Sequence, residues 1–339
     1  MDASNFVRNM PKIELHAHLN GSLSTKSIKE LGELLYGGNT IEFLRLSEQF
    51  INFENVDLDG CFKKFHFMHE LTSTQKGLQL ATKLAIRDFS KDNVIYLELR
   101  TTPKRNSVMS KQEYMECVLS AIDRSNKTEN IRVNLIPSID RSKDFAEAED
   151  TINVILQLRN KYEDIITGID VSGNPNIGEF EQFIPVLEKA RKNNLKLALH
   201  CAEIDNPLEI EKMIKFGMDR CGHGTFLSEF QLRELGRKNT VIECCLTSNV
   251  KCGTVGNYDD HHFRRIFQNK IAPVVICTDD CGVFDTTLSK EYELAKKNFK
   301  LNDDDLLQIT LNAVEHAFIK DSAKLELRQK VQRYFEAVP

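Results

Sequence analysis

Short apolar runs recur along the chain, and each is followed by a longer segment with apolar residues at helical spacing. An opening run starts at Met10 and stops at Gly21, and further runs fall at 94–100, 133–139, 165–171, 195–201, 220–223, 240–246 and 273–278. Helical spacing follows at 24–36, 58–71, 75–89, 111–124, 146–162, 179–193, 207–216, 228–237, 258–268 and 288–298. Two further helical segments, 303–319 and 322–335, close the chain. Strands without polar alternation are buried on both faces, and their alternation with helices predicts a parallel sheet wrapped by helices. Eight such units predict an α/β fold of the closed (β/α)8 TIM-barrel kind with additional helices. The less regular stretch 40–57 reads as an excursion over the barrel mouth, and the absence of a linker or low-complexity tract predicts one domain over residues 1–339.

Composition changes this picture little. At 339 residues, with 41% hydrophobic and 28% charged positions, the chain has the make-up of an ordinary globular protein. A formal net charge of −5 gives no basic footprint for polymeric nucleic acid. No apolar stretch reaches membrane-spanning length, and the first five residues carry no leader pattern, so neither a membrane segment nor a secretory signal is expected. Nine cysteines, none in a Cys-x-x-Cys pair and many inside apolar runs, read as small buried hydrophobes in a reducing cytosol.

The chemistry emerges where strands end, because the C-terminal ends of barrel strands carry the active sites of this architecture. In the stretch Glu14-Leu15-His16-Ala17-His18-Leu19-Asn20-Gly21-Ser22, strand alternation points His16 and His18 to one face. Alone, His-x-His is a weak signal. The fifth strand ends in His200 with Glu203 beyond it, the sixth in His223, the seventh in Thr247-Ser248-Asn249 and the eighth in Asp279-Asp280. His16, His18, His200 and Asp279 make a plausible open site for a borderline ion such as Zn²⁺, with a position left for water. Such an ion brings water towards ionisation near neutral pH. Glu203 is then placed to move protons, and His223 to take the water proton or stabilise the developing oxyanion. Each residue alone also has a structural explanation, Glu203 as a helix-cap acid, His223 as a satisfied core histidine and Asp280 as a turn residue. A barrel needs none of them together for packing. His66 and His69 read as surface or packing residues unless their helix covers the mouth, His261-His262 opens a helix, and His316 reads as structural.

These motifs, with His200-Cys201-Ala202-Glu203, Gly222-His223-Gly224-Thr225 and Cys277-Thr278-Asp279-Asp280, resemble those of the adenosine/AMP deaminase family of metal-dependent hydrolase barrels. The likeness is ordered and spans nearly the whole chain. Leu246-Thr247-Ser248-Asn249-Val250-Lys251, His261-His262-Phe263 and the Gly282-Val283-Phe284 that follows Asp280 resemble the adenosine deaminase-like branch, whose members hydrolyse N6-methyl-AMP to IMP and methylamine. The resemblance implies one zinc per chain on His16, His18, His200 and Asp279, with Glu203 donating to purine N1 and His223 acting on the attacking water. It further implies Asp280 at N7 and the Gly173 backbone at the ring's other edge. His18, Asn20, His69, Thr101, Thr102, Pro103, Lys104 and Asp140 would touch the nucleotide. Lys104 stands where the branch often has arginine, so a phosphate there would meet a point charge and not a fork.

The residues themselves favour a nucleotide over a nucleoside. The resemblance places Asn20 near the ribose 5′ end, where adenosine deaminases proper usually carry aspartate. A carboxylate would repel a 5′-phosphate, whereas an amide can donate to it. Arg105 reads as solvated. The expected enzyme is a cytosolic monomer acting on a small purine nucleotide, with an adenosine deaminase, or a non-catalytic purine-binding barrel, as the alternatives. The His/Cys/Cys centre of base-flipping deaminases has no counterpart here.

Overall fold

The computed structural model describes residues 3–37 and 68–337. Eight strands pair in sequence order, every pair parallel: β1 (Lys12–His18), β2 (Val94–Thr101), β3 (Arg132–Asp140), β4 (Gly168–Ser172), β5 (Lys196–Cys201), β6 (Arg220–His223), β7 (Val241–Cys244) and β8 (Val274–Ile276). The barrel closes through a bridge between Ala17 and Asp279, in which the Asp279 N–H donates to His16 O and the His18 N–H donates to Asp279 O, both at 2.8 Å. Beside it the Glu14 carboxylate accepts from the Thr278 N–H at 3.0 Å, the Thr278 hydroxyl at 2.8 Å and the His16 N–H at 2.8 Å. A side chain thus stands in for part of the missing ladder.

Helices start where the sequence offers an acceptor to their free N–H groups. Ser24, Thr74, Asp144, Asn206 and Thr287 each cap a first turn, and Ser110, Ser228 and Asn302 form reciprocal capping boxes with Glu113, Gln231 and Asp305. The inner faces of these helices pack on the outer faces of the strands in one extended apolar core. The two closing helices, Asp303–His316 and Asp321–Ala337, seal Ile13, Leu15, Val241 and Val275 with Ala313, Val314, Leu327 and Val331.

Four local readings are corrected. Residues 3–9 form a helix (Ala3–Asn9) whose last carbonyls, Val7 O and Arg8 O, accept from the buried Lys12 ammonium. Burial lowers the pKa of Lys12 to about 8. The segment 179–193 is split into a 3-10 turn (Phe180–Phe183) and a helix (Ile184–Lys192), since Pro185 fits only in a helix's first turn. The seventh strand stops at Cys244, and Leu246–Lys251 turn into a short helix. The next helix begins at His262, not at 258. The excursion expected at 40–57, and the part of the 58–71 helix before residue 68, lie outside the described residues; 68–71 are helical. Among the described residues, eight cysteines are free thiols and no helix is long and apolar enough to cross a membrane.

The barrel interior differs most from expectation. Barrels of this kind usually fill with layers of branched apolar side chains. Here Arg100, Arg220, Glu98, Glu243 and Asp170 are all fully buried. Arg100 lies 2.5 Å from Glu243 and 3.4 Å from Asp170, and Arg220 lies 2.6 Å from both Glu98 and Glu243. Phe318 covers the Arg220 guanidinium at 3.8 Å. Removing one member of such a network leaves the other charges buried and uncompensated, which costs about 3–5 kcal/mol. Arg220→Ala is expected to lose about that much in urea unfolding; a loss under about 1 kcal/mol, the range of an exposed pair, would show that the interior charges contribute no more than surface ones.

Candidate functional site

Alternation along β1 brings the His16 and His18 rings to 5.3 Å between centroids, and β5 delivers His200 from the far side of the barrel mouth. The His200 Nε2 lies 3.2 Å from His16 Nε2 and 3.1 Å from His18 Nε2. Asp279 Oδ1, immediately after the barrel seam, is 3.4 and 3.3 Å from the same two nitrogens. Ligands bound tetrahedrally at about 2.0–2.1 Å stand about 3.4 Å apart, so these four atoms already have a metal's spacing.

Their protonation fits the same reading. His16 Nδ1 is 2.8 Å from Glu243 and His200 Nδ1 is 3.0 Å from Asp170. Each Nδ1 must donate to its ionised carboxylate, which turns the Nε2 lone pair towards the common centre. Burial would raise the Asp170 pKa, but His200 and Arg100 hold it well below the usual carboxylate range. Arg100 and Arg220 do the same for Glu243 against burial. Lone pairs and a carboxylate converging on one point repel unless a cation lies between them. The three imidazoles differ: burial and Arg100 oppose protonation of His16, yet Asp279 and Glu243 raise its pKa to about 9, whereas burial lowers the pKa of His18 and of His200. The donor set fits a divalent metal ion.

Backbone strain collects beside the same cluster. Ala202, His223 and Asp279 adopt left-handed conformations, with φ of 55°, 60° and 62°. Such conformations cost about 1–3 kcal/mol in non-glycine residues and concentrate at functional sites. Before His223, Gly222 leaves room for His16, since a Cβ there would meet His16 Cε1 at 3.1 Å and His200 Cα at 3.2 Å. The His262 ring donates from Nε2 to the His223 carbonyl at 2.9 Å, and Asn249 Nδ2 lies 3.3 Å from His223 Nδ1. His223 Nε2 is buried without a hydrogen-bond partner, 3.8 Å from Glu203 Oε1. Burial pushes the His223 pKa down to about 4 and the Glu203 carboxyl up to about 7. Near neutral pH the pair therefore offers a neutral imidazole beside a carboxyl that can still carry a proton.

A cavity of about 350 Å³ opens over the cluster. His18, His200, Glu203, His223 and Asp279 line one region of its wall, while His16 lies behind them. Asn20, His69, Thr101, Thr102, Lys104, Asp140, Gly173 and Asp280 complete the expected set on the same wall. Pro103 is apart, lining a neighbouring recess with Arg105 and Lys143. The Asn20 amide donates to the Thr72 hydroxyl at 2.8 Å and accepts from the Tyr114 hydroxyl at 3.4 Å, which fixes its orientation. Lys104 Nζ is 2.7 Å from His69 Nε2, and burial lowers its pKa to about 8. Arg105 is exposed and paired with Glu147.

Several supporting residues escape the strand-end reading. Asp170 and Glu243 hold the His200 and His16 rings and Arg100 holds both carboxylates, while Ser248, from the seventh strand's polar end, donates its hydroxyl to Asp279 Oδ2 at 2.7 Å. The signal for the first three was a charge inside an otherwise apolar run. His262, which holds the His223 carbonyl, left no such mark, whereas Asn249, beside His223 Nδ1, stands among the polar residues at the seventh strand's end.

The family model for adenosine deaminase matches residues 11–334. An adenosine deaminase-like protein of Drosophila melanogaster is 50% identical, the match covering 97% of each chain. The N6-methyl-AMP deaminase of Homo sapiens is 37% identical over 96% of this chain and 94% of its own. The crystal structure of an Arabidopsis N6-mAMP deaminase superposes with a TM-score of 0.89 at 37% identity, covering 97% of this chain and 99% of that one. Arabidopsis ADAL complexed with IMP gives 0.89 at 35% identity, covering 98% and 99%.

Two substitutions test the metal centre. His200→Ala is expected to abolish stoichiometric metal binding, and Asp170→Asn, which removes only the carboxylate behind His200, to weaken metal affinity about 10–100-fold. Competition against a chromophoric chelator reads both; unchanged affinity in Asp170→Asn would mean that His200 does not depend on it for its orientation.

Proposed function

The chain belongs to the adenosine deaminase family, as its match over residues 11–334 and its near full-length relatives establish, and is a deaminating hydrolase of purines. From that premise we propose that it converts N6-methyl-AMP and water to IMP and methylamine. The observation that carries the reading is one cavity lined both by the His/Asp cluster with Glu203 and His223, and by an oriented amide and a lysine ammonium, Asn20 and Lys104. The first set suits hydrolysis at a ring carbon, the second a 5′-phosphate. The resemblance to enzymes named for N6-methyl-AMP, and to a relative complexed with IMP, supports the same substrate class.

His16, His18, His200 and Asp279 would hold one zinc ion, whose contribution when bound is to bring water close to ionisation at neutral pH. Glu203 donates its proton to purine N1, which lets C6 accept the oxygen nucleophile without building an unstabilised anion on the ring. His223, neutral at pH 7, takes the proton that water loses as its oxygen bonds to C6. His223 passes its proton to the amine nitrogen as the C6–N6 bond breaks, the C6 hydroxyl returns its proton to Glu203 as the carbonyl forms, and N1 keeps its proton in the lactam product. Asp280 at N7 and the Gly173 backbone at the opposite edge orient the base, while Asn20, His69, Thr101, Thr102 and Lys104 bind the ribose phosphate.

The decisive experiment is product analysis with AMP, N6-methyl-AMP, adenosine and N6-methyladenosine side by side. IMP and methylamine released fastest from N6-methyl-AMP supports the proposal; inosine from the nucleosides alone would make the protein an adenosine deaminase. Glu203→Gln is expected to keep its metal and lose about 10²–10⁴-fold in turnover, the usual contribution of a general acid. A near-normal rate in the metal-replete variant would remove Glu203 from the acid role. Asn20→Asp separates nucleotide from nucleoside: a charge about 5 Å from phosphate at an effective dielectric of ~20 opposes binding by roughly 3 kcal/mol, about two decades in kcat/KM. That loss should fall on N6-methyl-AMP and spare N6-methyladenosine. An unmoved ratio between the two would place Asn20 away from the phosphate.

A further inference from the structure

We propose that Cys252 and Phe284 form the wall that receives the substituent on the substrate's exocyclic nitrogen, and that the small side chain of Cys252 sets how large that substituent can be. The inference rests on the base orientation proposed above, with N1 at Glu203 and N7 at Asp280. On the purine perimeter, C6 and its nitrogen lie between N1 and N7. Whatever is attached to that nitrogen must therefore face the stretch of wall between Glu203 and Asp280.

A continuous line of contacts traces that stretch. Glu203 is 3.8 Å from His223, and His223 is 3.3 Å from Asn249. From Asn249 the short helix Leu246–Lys251 runs into Cys252, whose N–H donates to Ser248 O at 2.8 Å. Cys252 packs in a separate small apolar cluster with Val283 and Phe284. The line ends where the Phe284 N–H donates to Asp280 O at 3.0 Å. Both Cys252 and Phe284 line the cavity. Between the acid at one end and the carboxylate at the other, this wall presents a thiol and an aromatic ring, which suit a methyl group better than an ammonium.

The wall is also held in place. Lys251 Nζ donates to Phe284 O at 2.6 Å, and the N–H groups of Gly282 and Val283 both donate to Gly21 O, at 2.8 and 3.0 Å. A Cβ on Gly21 would come within 1.7 Å of Asp280 Oδ1, so the turn after β1 and the loop after β8 are in close contact there. A wall pinned at both ends discriminates by volume, because it cannot retreat from a larger group. Phe284 is 2% exposed and fixed, whereas Cys252 is only half-buried. Cys252 is therefore the position where a change in side-chain size is felt by the substrate and least by the core.

The test compares kcat/KM for AMP, N6-methyl-AMP and N6-ethyl-AMP in the metal-loaded wild type, Cys252→Leu and Cys252→Ala. One methylene in an apolar pocket is worth about 10-fold, so Cys252→Leu is expected to lower the N6-methyl-AMP to AMP ratio by about that factor. Cys252→Ala is expected to raise the N6-ethyl-AMP to N6-methyl-AMP ratio by at least about threefold. Ratios unmoved in both variants, with metal content intact, would overturn the proposal. If Cys252→Leu does not fold, the Cys252→Ala ratio decides. If the wild type acts on nucleosides alone, the same ratios are read with adenosine and its N6-alkyl derivatives. A shift there upholds the wall while the nucleotide reading falls, and a wild type inactive on all of them removes both.

Discussion

The structure depends on a set of charges sealed inside the barrel. Two guanidinium groups, Arg100 and Arg220, share the Glu243 carboxylate and reach out to Asp170 and Glu98. No water-exposed surface compensates them, so each must find its opposite inside. The same carboxylates that neutralise the arginines also take the Nδ1 protons of His16 and His200. Structural electrostatics and ligand chemistry are one network. The arginines keep Glu243 and Asp170 ionised, the ionised carboxylates select one imidazole tautomer, and the tautomer aims a lone pair at the centre of the site. An apolar barrel interior would pack as well and leave the imidazoles free to turn.

The surroundings of Glu203 and His223 depend on a different device. His223, the last residue of β6, and Asp279 both adopt left-handed backbone, and each is held there by a partner from elsewhere in the chain. His262 holds the His223 carbonyl, and the strand-one backbone brackets Asp279. Burial does the remaining work by moving the pKa of Glu203 and of His223 in opposite senses. A carboxyl that keeps its proton and an imidazole that loses its own are the division of labour that acid–base catalysis at neutral pH requires.

Much of this was legible in the chain. The eight apolar runs and their helices could be read because strand and helix impose different periods, and His16, His18, His200 and Asp279, which the fold brings together, could be picked out because they sit where the apolar runs stop. What escaped did so for physical reasons. The helix Ala3–Asn9 is too short to show a period, and the helix Leu246–Lys251 starts on Leu246, the last residue of the apolar run that begins in β7. Both are fixed by tertiary contacts, Lys12 on the first helix's carbonyls and Glu291 on Thr247. The interior charges were visible as Glu98, Arg100, Asp170, Arg220 and Glu243 within apolar strands, yet their pairing follows from barrel closure and not from neighbours in sequence. Pro103, expected beside the substrate, lines another recess although both its neighbours line the cavity.

The seam of the barrel has a consequence for how the site comes into being. Glu14 and Thr278 are 264 residues apart, and the bridge beside them joins the first histidine ligands to Asp279. Contacts at such separation form late, since closing a long loop costs chain entropy before any contact repays it. The ligand set is therefore incomplete in every intermediate that lacks the last strand, however well the first six or seven units have folded. A chain lacking the last strand would hold the three imidazoles at most and not Asp279, and would bind metal more weakly than the closed ring. Metal taken up by the finished site stabilises the closed ring alone, by mass action against every opened form. The ion would then serve as a clasp, whose grip reports that the two ends of the chain have met.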